Sequence, residues 1–252
     1  MTIRAVILDL GHTLWDITPQ PESLARAYRE MRATLVTRLA RTDLPEAAEF
    51  QRAVRDVLHD AAKTYFMDGP NLDEPPPREW VDQACRRLGI ELGTALLREI
   101  TPPLFATEID GLVVSDGTFD AVAALADAGY SLGCITNTLA DGAAIRAMLR
   151  KHGFEAMMRS VVVSTEEGRR KPCRTLFEKS MRELLVAPHE SVFVGDSPTH
   201  DIGGAKAAGM FAVLTRQYVE RPYPDDAPPP DAVIDHLREL SSAVGALDQR
   251  PA

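Results

Sequence analysis

The chain has 252 residues, 45% of them hydrophobic and 26% charged, ordinary values for a globular protein of one large or two modest domains. Lys+Arg 28 against Asp+Glu 37 leaves a net charge of −9. That argues against broad nucleic-acid or membrane binding, though not against a small anion held by a few local cations.

The three cysteines, Cys85, Cys134 and Cys173, are odd in number and lack CxxC spacing, so neither a disulfide framework nor a zinc site is expected. No apolar run approaches a membrane span. The opening MTIRAVILDLG is apolar too briefly for a signal peptide. The expected setting is the cytoplasm, with no membrane and no nucleic-acid partner.

In chain order, residues 3–8 (IRAVIL) predict a buried parallel strand ending at Asp9. Leu24, Tyr28, Met31, Leu35 and Leu39 then recur at helical spacing, as do Phe50, Val54, Val57, Ala61 and Tyr65. Two more helical stretches follow near 77–88 and 93–100, after a breaker loop at 68–77. No strand signal interrupts this segment, so residues 17–110 predict an all-helical insertion with hinges at 15–21 and 109–117. Beyond it, strands at 130–136, 160–164, 191–195, 211–215 and 231–234 alternate with helices at 118–129, 140–152, 173–186 and 201–208. Residues 1–16 and 111–252 therefore predict an α/β core, a Rossmann-like parallel sheet with helices on both faces. RPYPDDAPPPD (221–231) reads as a Pro-rich loop without an assigned role.

Ligands of parallel sheets bind at the carboxyl ends of the strands. The residues there are Asp9, Thr136 with Asn137, Asp196 and, after the third core strand, Lys171. Two acids, a hydroxyl and an ammonium on separate strand ends suit phosphoryl chemistry. One carboxylate can attack, the second can help hold a divalent cation, and the hydroxyl and ammonium can bind phosphoryl oxygens. Mg²⁺ is the natural ion, because it prefers oxygen donors and one or two carboxylates.

These residues sit in segments that resemble the motifs of the haloacid dehalogenase superfamily. VILDLGHTL (6–14) resembles the first motif, CITNT (134–138) the second and GRRKP (168–172) the third. VFVGDSPTHDIGGAKAAGM (192–210) resembles the fourth and is the most specific. The helical insertion between the first two motifs is similar to the family's mobile cap. The resemblance implies a phosphohydrolase acting on a small phosphorylated substrate. Asp9 would be the nucleophile that forms an aspartyl-phosphate. Thr136 would hydrogen-bond the phosphoryl group, helped by the backbone N–H of Asn137, and Lys171 would neutralise the charge. Asp9, the carbonyl of Gly11, Asp196 and Asp201 would hold Mg²⁺.

One position departs from the family pattern. The second aspartate of the first motif, which serves as acid and base, is replaced by Gly11, and His12 stands where glycine is usual. His12, on the substrate side, or a residue of the helical segment could replace it; otherwise His12 reads as a solvent-facing loop residue. The alternatives are a 2-haloacid dehalogenase-type hydrolase, whose leaving halide needs no proton, and a non-catalytic relative that binds a phospho-ligand. Lys63 is the only lysine in the helical segment able to serve a phosphonate-cleaving relative. Among lesser candidates, Asp16 reads as a hinge residue, Arg169 and Arg170 as solvated loop cations, and Cys173 as a packed thiol. Tyr65, Phe66 and Met67, at the end of a helix of the insertion, read as core packing, with lining of the closed site as the alternative.

Overall fold

The computed structural model describes residues 2–62 and 71–249. Lys63, Tyr65, Phe66 and Met67, singled out above, lie outside the described residues.

The unbroken apolar run of β1 (Ala5–Leu8) is buried throughout, as a strand covered on both faces requires. After it the chain forms β2 (Asp16–Ile17), and the described residues of the next segment form the helices α1 (Pro21–Leu39), α2 (Ala47–Ala61), α3 (Pro77–Arg87) and α4 (Thr94–Phe105). Pro21 starts α1, where a missing N–H costs nothing. Glu49 accepts from the Glu46 backbone N–H at 2.9 Å and caps α2. The apolar stripes converge: Tyr28, Met31, Leu35, Phe50, Val54 and Trp80 belong to a hydrophobic cluster separate from those of the sheet. α4 runs past residue 100, where the periodicity ends, through Pro102 and Pro103. Thr101 and Leu104 are buried on the same face, and the Ala106 N–H closes onto the Pro102 carbonyl at 3.1 Å.

The chain returns through β3 (Leu112–Val113), which pairs antiparallel with β2, Ile17 opposite Leu112 and Asp16 opposite Val113. The hinge segments thus contain a short strand pair, which two-residue stretches cannot announce by periodicity.

The core continues through α5 (Thr118–Asp127), β4 (Ser131–Thr136), α6 (Gly142–Lys151), β5 (Met158–Val163), α7 (Ser164–Glu167), α8 (Arg174–Leu184) and β6 (Ser191–Gly195). α9 (Gly204–Ala207), β7 (Phe211–Thr215), β8 (Ala232–Ile234) and α10 (Leu240–Asp248) complete it. The sheet has six strands in the order β5-β4-β1-β6-β7-β8, and all pairings are parallel. Val6 and Leu8 pack with α5, α6 and α10 on one face. Ala5 and Ile7 pack with α8 and α9 on the other. This is the α/β fold that the alternating pattern predicts.

Two local features differ from the sequence pattern. Where a helix is expected from residue 201, Pro198–Gly203 forms a wide π-type turn, with the Ile202 N–H on the Ser197 carbonyl at 3.1 Å. α10 has only a short apolar stripe, yet Leu240, Val244 and Leu247 are buried. No described helix is long and apolar enough to cross a membrane.

Candidate active site

The chain leaves β1 first toward β4 and β5 and then crosses to β6, so the sheet order reverses around β1. A crevice opens where that reversal occurs, at the carboxyl ends of the strands. It is a cavity of about 840 Å³. Asp9, Gly11, His12, Thr136, Asn137, Lys171, Asp196 and Asp201 all line it.

Lys171 is the hub. Its ammonium is 2.6 Å from Asp9 Oδ1 and 2.7 Å from Asp201 Oδ1, and all three side chains are buried. The Asn137 carboxamide holds the lysine's own backbone: Nδ2 donates to the Lys171 carbonyl at 3.1 Å, and Oδ1 accepts from the Lys171 N–H at 2.7 Å. Thr13 Oγ1 donates to Asp9 Oδ2 at 3.5 Å. The second oxygen of Asp201 accepts from the Ser197 N–H at 2.9 Å, which the wide turn after β6 makes possible. Gly195 leaves room for that carboxylate, since a Cβ there would lie 2.4 Å from Asp201 Cγ. Thr136, at the end of β4, is buried in the cavity wall.

Asp9, Asp196 and Asp201 each offer an oxygen, and these atoms lie within 4.8 Å of one another. Burial drives the Asp9 carboxyl up to about 7, and the charges of Asp201 and Asp196 push the same way against the pull of Lys171. Asp196 is likewise raised, by burial and then by Asp201. Burial disfavours the Lys171 ammonium, but Asp201 and Asp9 outweigh it and hold it charged. Crowded, buried oxygen donors whose charges repel one another fit a hard divalent cation, which would relieve that repulsion.

Gly11 faces open space, with nothing within 4 Å of where a Cβ would stand. His12 adopts φ 56°, in the left-handed region that favours glycine. Two contacts hold it there: its N–H on the Trp15 carbonyl at 2.7 Å and Nδ1 2.9 Å from Asp16 Oδ1. Its side chain is 45% exposed at the cavity mouth. Asp16 also accepts from the Ile17 N–H at 2.9 Å.

The expectation that Arg169 and Arg170 are solvated needs correction for Arg170. It is buried and faces the buried Glu74 at 3.4 Å. The reason is a long-range pairing of loops. The Arg170 N–H bonds the Leu72 carbonyl at 2.9 Å, and the Glu74 N–H bonds the Gly168 carbonyl at 3.0 Å. Arg169, half-exposed, pairs with Asp73 at 2.5 Å. A loop of the helical segment is thus sewn onto the loop that carries Lys171. Cys173 is buried, its sulfur 3.2 Å from Thr175 Oγ1.

Three contributors escape the sequence reading. Glu74 lines the cavity but has only its acidity as a signal. Asn137 acts through its side chain, where only its backbone N–H is expected to matter. Arg221, in the Pro-rich loop, donates through Nε to Asp196 Oδ2. Its position in the loop that follows a core strand is the available clue.

The family model described as haloacid dehalogenase-like hydrolase matches residues 3–209. The chain belongs to that family. It is therefore a hydrolase, as the motifs imply. It is 28% identical to a glyceraldehyde 3-phosphate phosphatase of Methanopyrus kandleri, over 97% of this chain and 98% of that protein. A phosphoserine phosphatase of Thermus thermophilus is 35% identical over 48% of each chain. Among solved structures, a 2-haloacid dehalogenase from Pseudomonas syringae superposes with a TM-score of 0.66 at 22% identity, covering 97% of this chain and 99% of that one. A HAD phosphatase from Thermococcus onnurineus gives 0.59 at 24% identity, covering 96% and 98%. At these identities the structures establish the shared fold.

Proposed function

We propose that this haloacid dehalogenase-like hydrolase is a magnesium-dependent phosphatase of a small phosphorylated metabolite, working through a phosphoryl group carried transiently on Asp9. The observation that carries the reading is the cluster of Asp9, Asp196 and Asp201 gathered around one buried lysine. The kinship to phosphatases of small phosphoesters supports it.

In this reading a carboxylate oxygen of Asp9 attacks phosphorus, forming an O–P bond while the ester P–O bond breaks and the leaving oxygen departs. Water then attacks phosphorus, giving up a proton to solvent while the P–O bond to Asp9 breaks, which releases phosphate and restores the carboxylate. Lys171 orients the nucleophile and offsets charge on the phosphoryl oxygens. The Thr136 hydroxyl and the Asn137 backbone N–H bind those oxygens. Asp9, the Gly11 carbonyl, Asp196 and Asp201 would hold Mg²⁺, which supplies Lewis-acid stabilisation of phosphoryl charge. With glycine at position 11, the leaving group draws its proton from solvent or from another group at the mouth, where His12 is the nearest titratable candidate in sequence. The helical segment 17–110 acts as the cap that closes the cavity, and the cytoplasm is the setting.

The test is hydrolysis of p-nitrophenyl phosphate with and without Mg²⁺. Phosphate release that needs the ion and vanishes in Asp9→Asn is the expected result; activity indifferent to both would refute the reading. Gly11 also favours a second reading, a 2-haloacid dehalogenase, since a halide leaves without a proton. Chloride release from 2-chloropropionate without added cation would select it, but the acidic cluster speaks for the phosphatase.

A further inference from the structure

Arg221 holds a place that the reaction above does not use. It follows β7 on a segment tied to the nucleophile loop: Gln217 Nε2 donates to the Thr13 carbonyl at 3.3 Å, and the Tyr218 hydroxyl donates to the Leu14 carbonyl at 3.2 Å. From this anchored stem Arg221 reaches into the cavity, whose wall also includes Pro222 and Pro224. Its guanidinium pairs with Asp196. The carboxylate is 5% exposed and the arginine side chain 41%, so one partner is fixed in the site while the other stands at its edge.

A guanidinium remains charged at any working pH. A divalent cation on Asp196 would put a second positive centre on the same carboxylate, and the two would repel. The exposed partner is the one free to move. Released from Asp196, Arg221 remains tethered at the cavity wall as a planar, two-pronged donor that has lost a carboxylate partner. Such a group is suited to accept another carboxylate in its place.

We propose that Arg221 is an exchangeable counter-cation: it neutralises Asp196 before the metal binds, and once displaced it holds a carboxylate on the substrate, making this a phosphatase selective for phosphorylated carboxylic acids. The second half rests on the phosphatase reading; the first rests only on its metal site.

The experiment uses the full chain as wild type, Arg221→Ala and Arg221→Lys, with folding checked by thermal melting. Calorimetric titration with Mg²⁺ alone reads the first half. Arg221→Ala should bind Mg²⁺ about 5-fold or more tighter than wild type, within the usual range of coupling between sites. Arg221→Lys, which keeps the charge, should stay near wild type. Unchanged Mg²⁺ affinity in Arg221→Ala overturns the exchange.

The ratio of kcat/KM for phosphoglycolate to that for ethyl phosphate reads the second half. Wild type should favour phosphoglycolate, and Arg221→Ala should lose about 10-fold or more of that preference, the order expected for a charge-assisted bond. A ratio unmoved in Arg221→Ala overturns the carboxylate role while the phosphatase reading stands. Failure of wild type to turn over either ester or p-nitrophenyl phosphate overturns both.

Discussion

The Asn137 side chain grips the main chain of Lys171 through a donor and an acceptor at once, although the two residues are 34 positions apart. The lysine's ammonium can sit between Asp9 and Asp201 only if its backbone is fixed, and this clamp joins the end of β4 to the loop that carries it. Asn137→Ala removes both bonds while leaving every charged group in place. We expect kcat to fall about 100-fold, the scale of an ångström-sized misplacement, with a smaller change in KM. Steady-state kinetics on p-nitrophenyl phosphate, with a thermal melt as control, measures it.

Gly11 makes a prediction about leaving groups. A positioned acid–base contributes about 10²–10⁴-fold, so its lack should weigh most on esters whose oxygen leaves poorly. Aryl, acyl or anomeric phosphates should be hydrolysed much better than alkyl phosphates, and equal kcat/KM for the two classes would refute this. The open space at Gly11 permits the converse trial. Gly11→Asp, whose Cβ would meet no neighbour, should narrow the aryl-to-alkyl ratio by about 10-fold or more. Rapid-quench trapping should also find phosphorylated Asp9 longer-lived in the wild type than in this variant.

The Glu74–Arg170 contact predicts a loss of both stability and order. Burial raises the Glu74 carboxyl pKa against the influence of Arg170, and lowers that of Arg170 against the influence of Glu74. Replacing Glu74 takes a buried carboxylate away from the Arg170 guanidinium, and breaking a buried pair costs about 3–5 kcal/mol in comparable cases. Glu74→Gln should therefore lower Tm and speed hydrogen exchange across residues 168–172. Unchanged exchange there would show that the loop stands without its partner.

Gly195 predicts a steric failure. Gly195→Ala would press its methyl group into the Asp201 carboxylate and push it away from Lys171 and Asp196. Overpacking of this kind costs about 1–3 kcal/mol. The more telling result is a weaker response to Mg²⁺, read as a smaller rise in Tm on adding the ion than wild type shows.

The alternation of apolar runs with amphipathic stretches made the sheet order's raw material legible. Asp9, Thr136 and Asp196 could be singled out because each directly ends or follows a buried run, and Lys171 because it comes after the third core strand, in a segment, GRRKP, that resembles a motif. What pattern reading cannot reach is contact between segments distant in the chain. Glu74 matters because residues 72–74 lie against residues 168–170, and Arg221 because β7 lies next to β6. Neither relation leaves a periodic trace. The two-residue strands β2 and β3 are invisible for a different reason: alternation needs more than two residues to be seen.

That last pair has a consequence for the protein's history. The chain departs from the core at Ile17 and comes back at Leu112, its direct neighbour across the ladder. An excursion with adjoining exit and entry points can be lengthened, shortened or traded for another without rethreading the sheet. The residues gathered around Asp9 can then stay in place while the helical segment between the two short strands diverges.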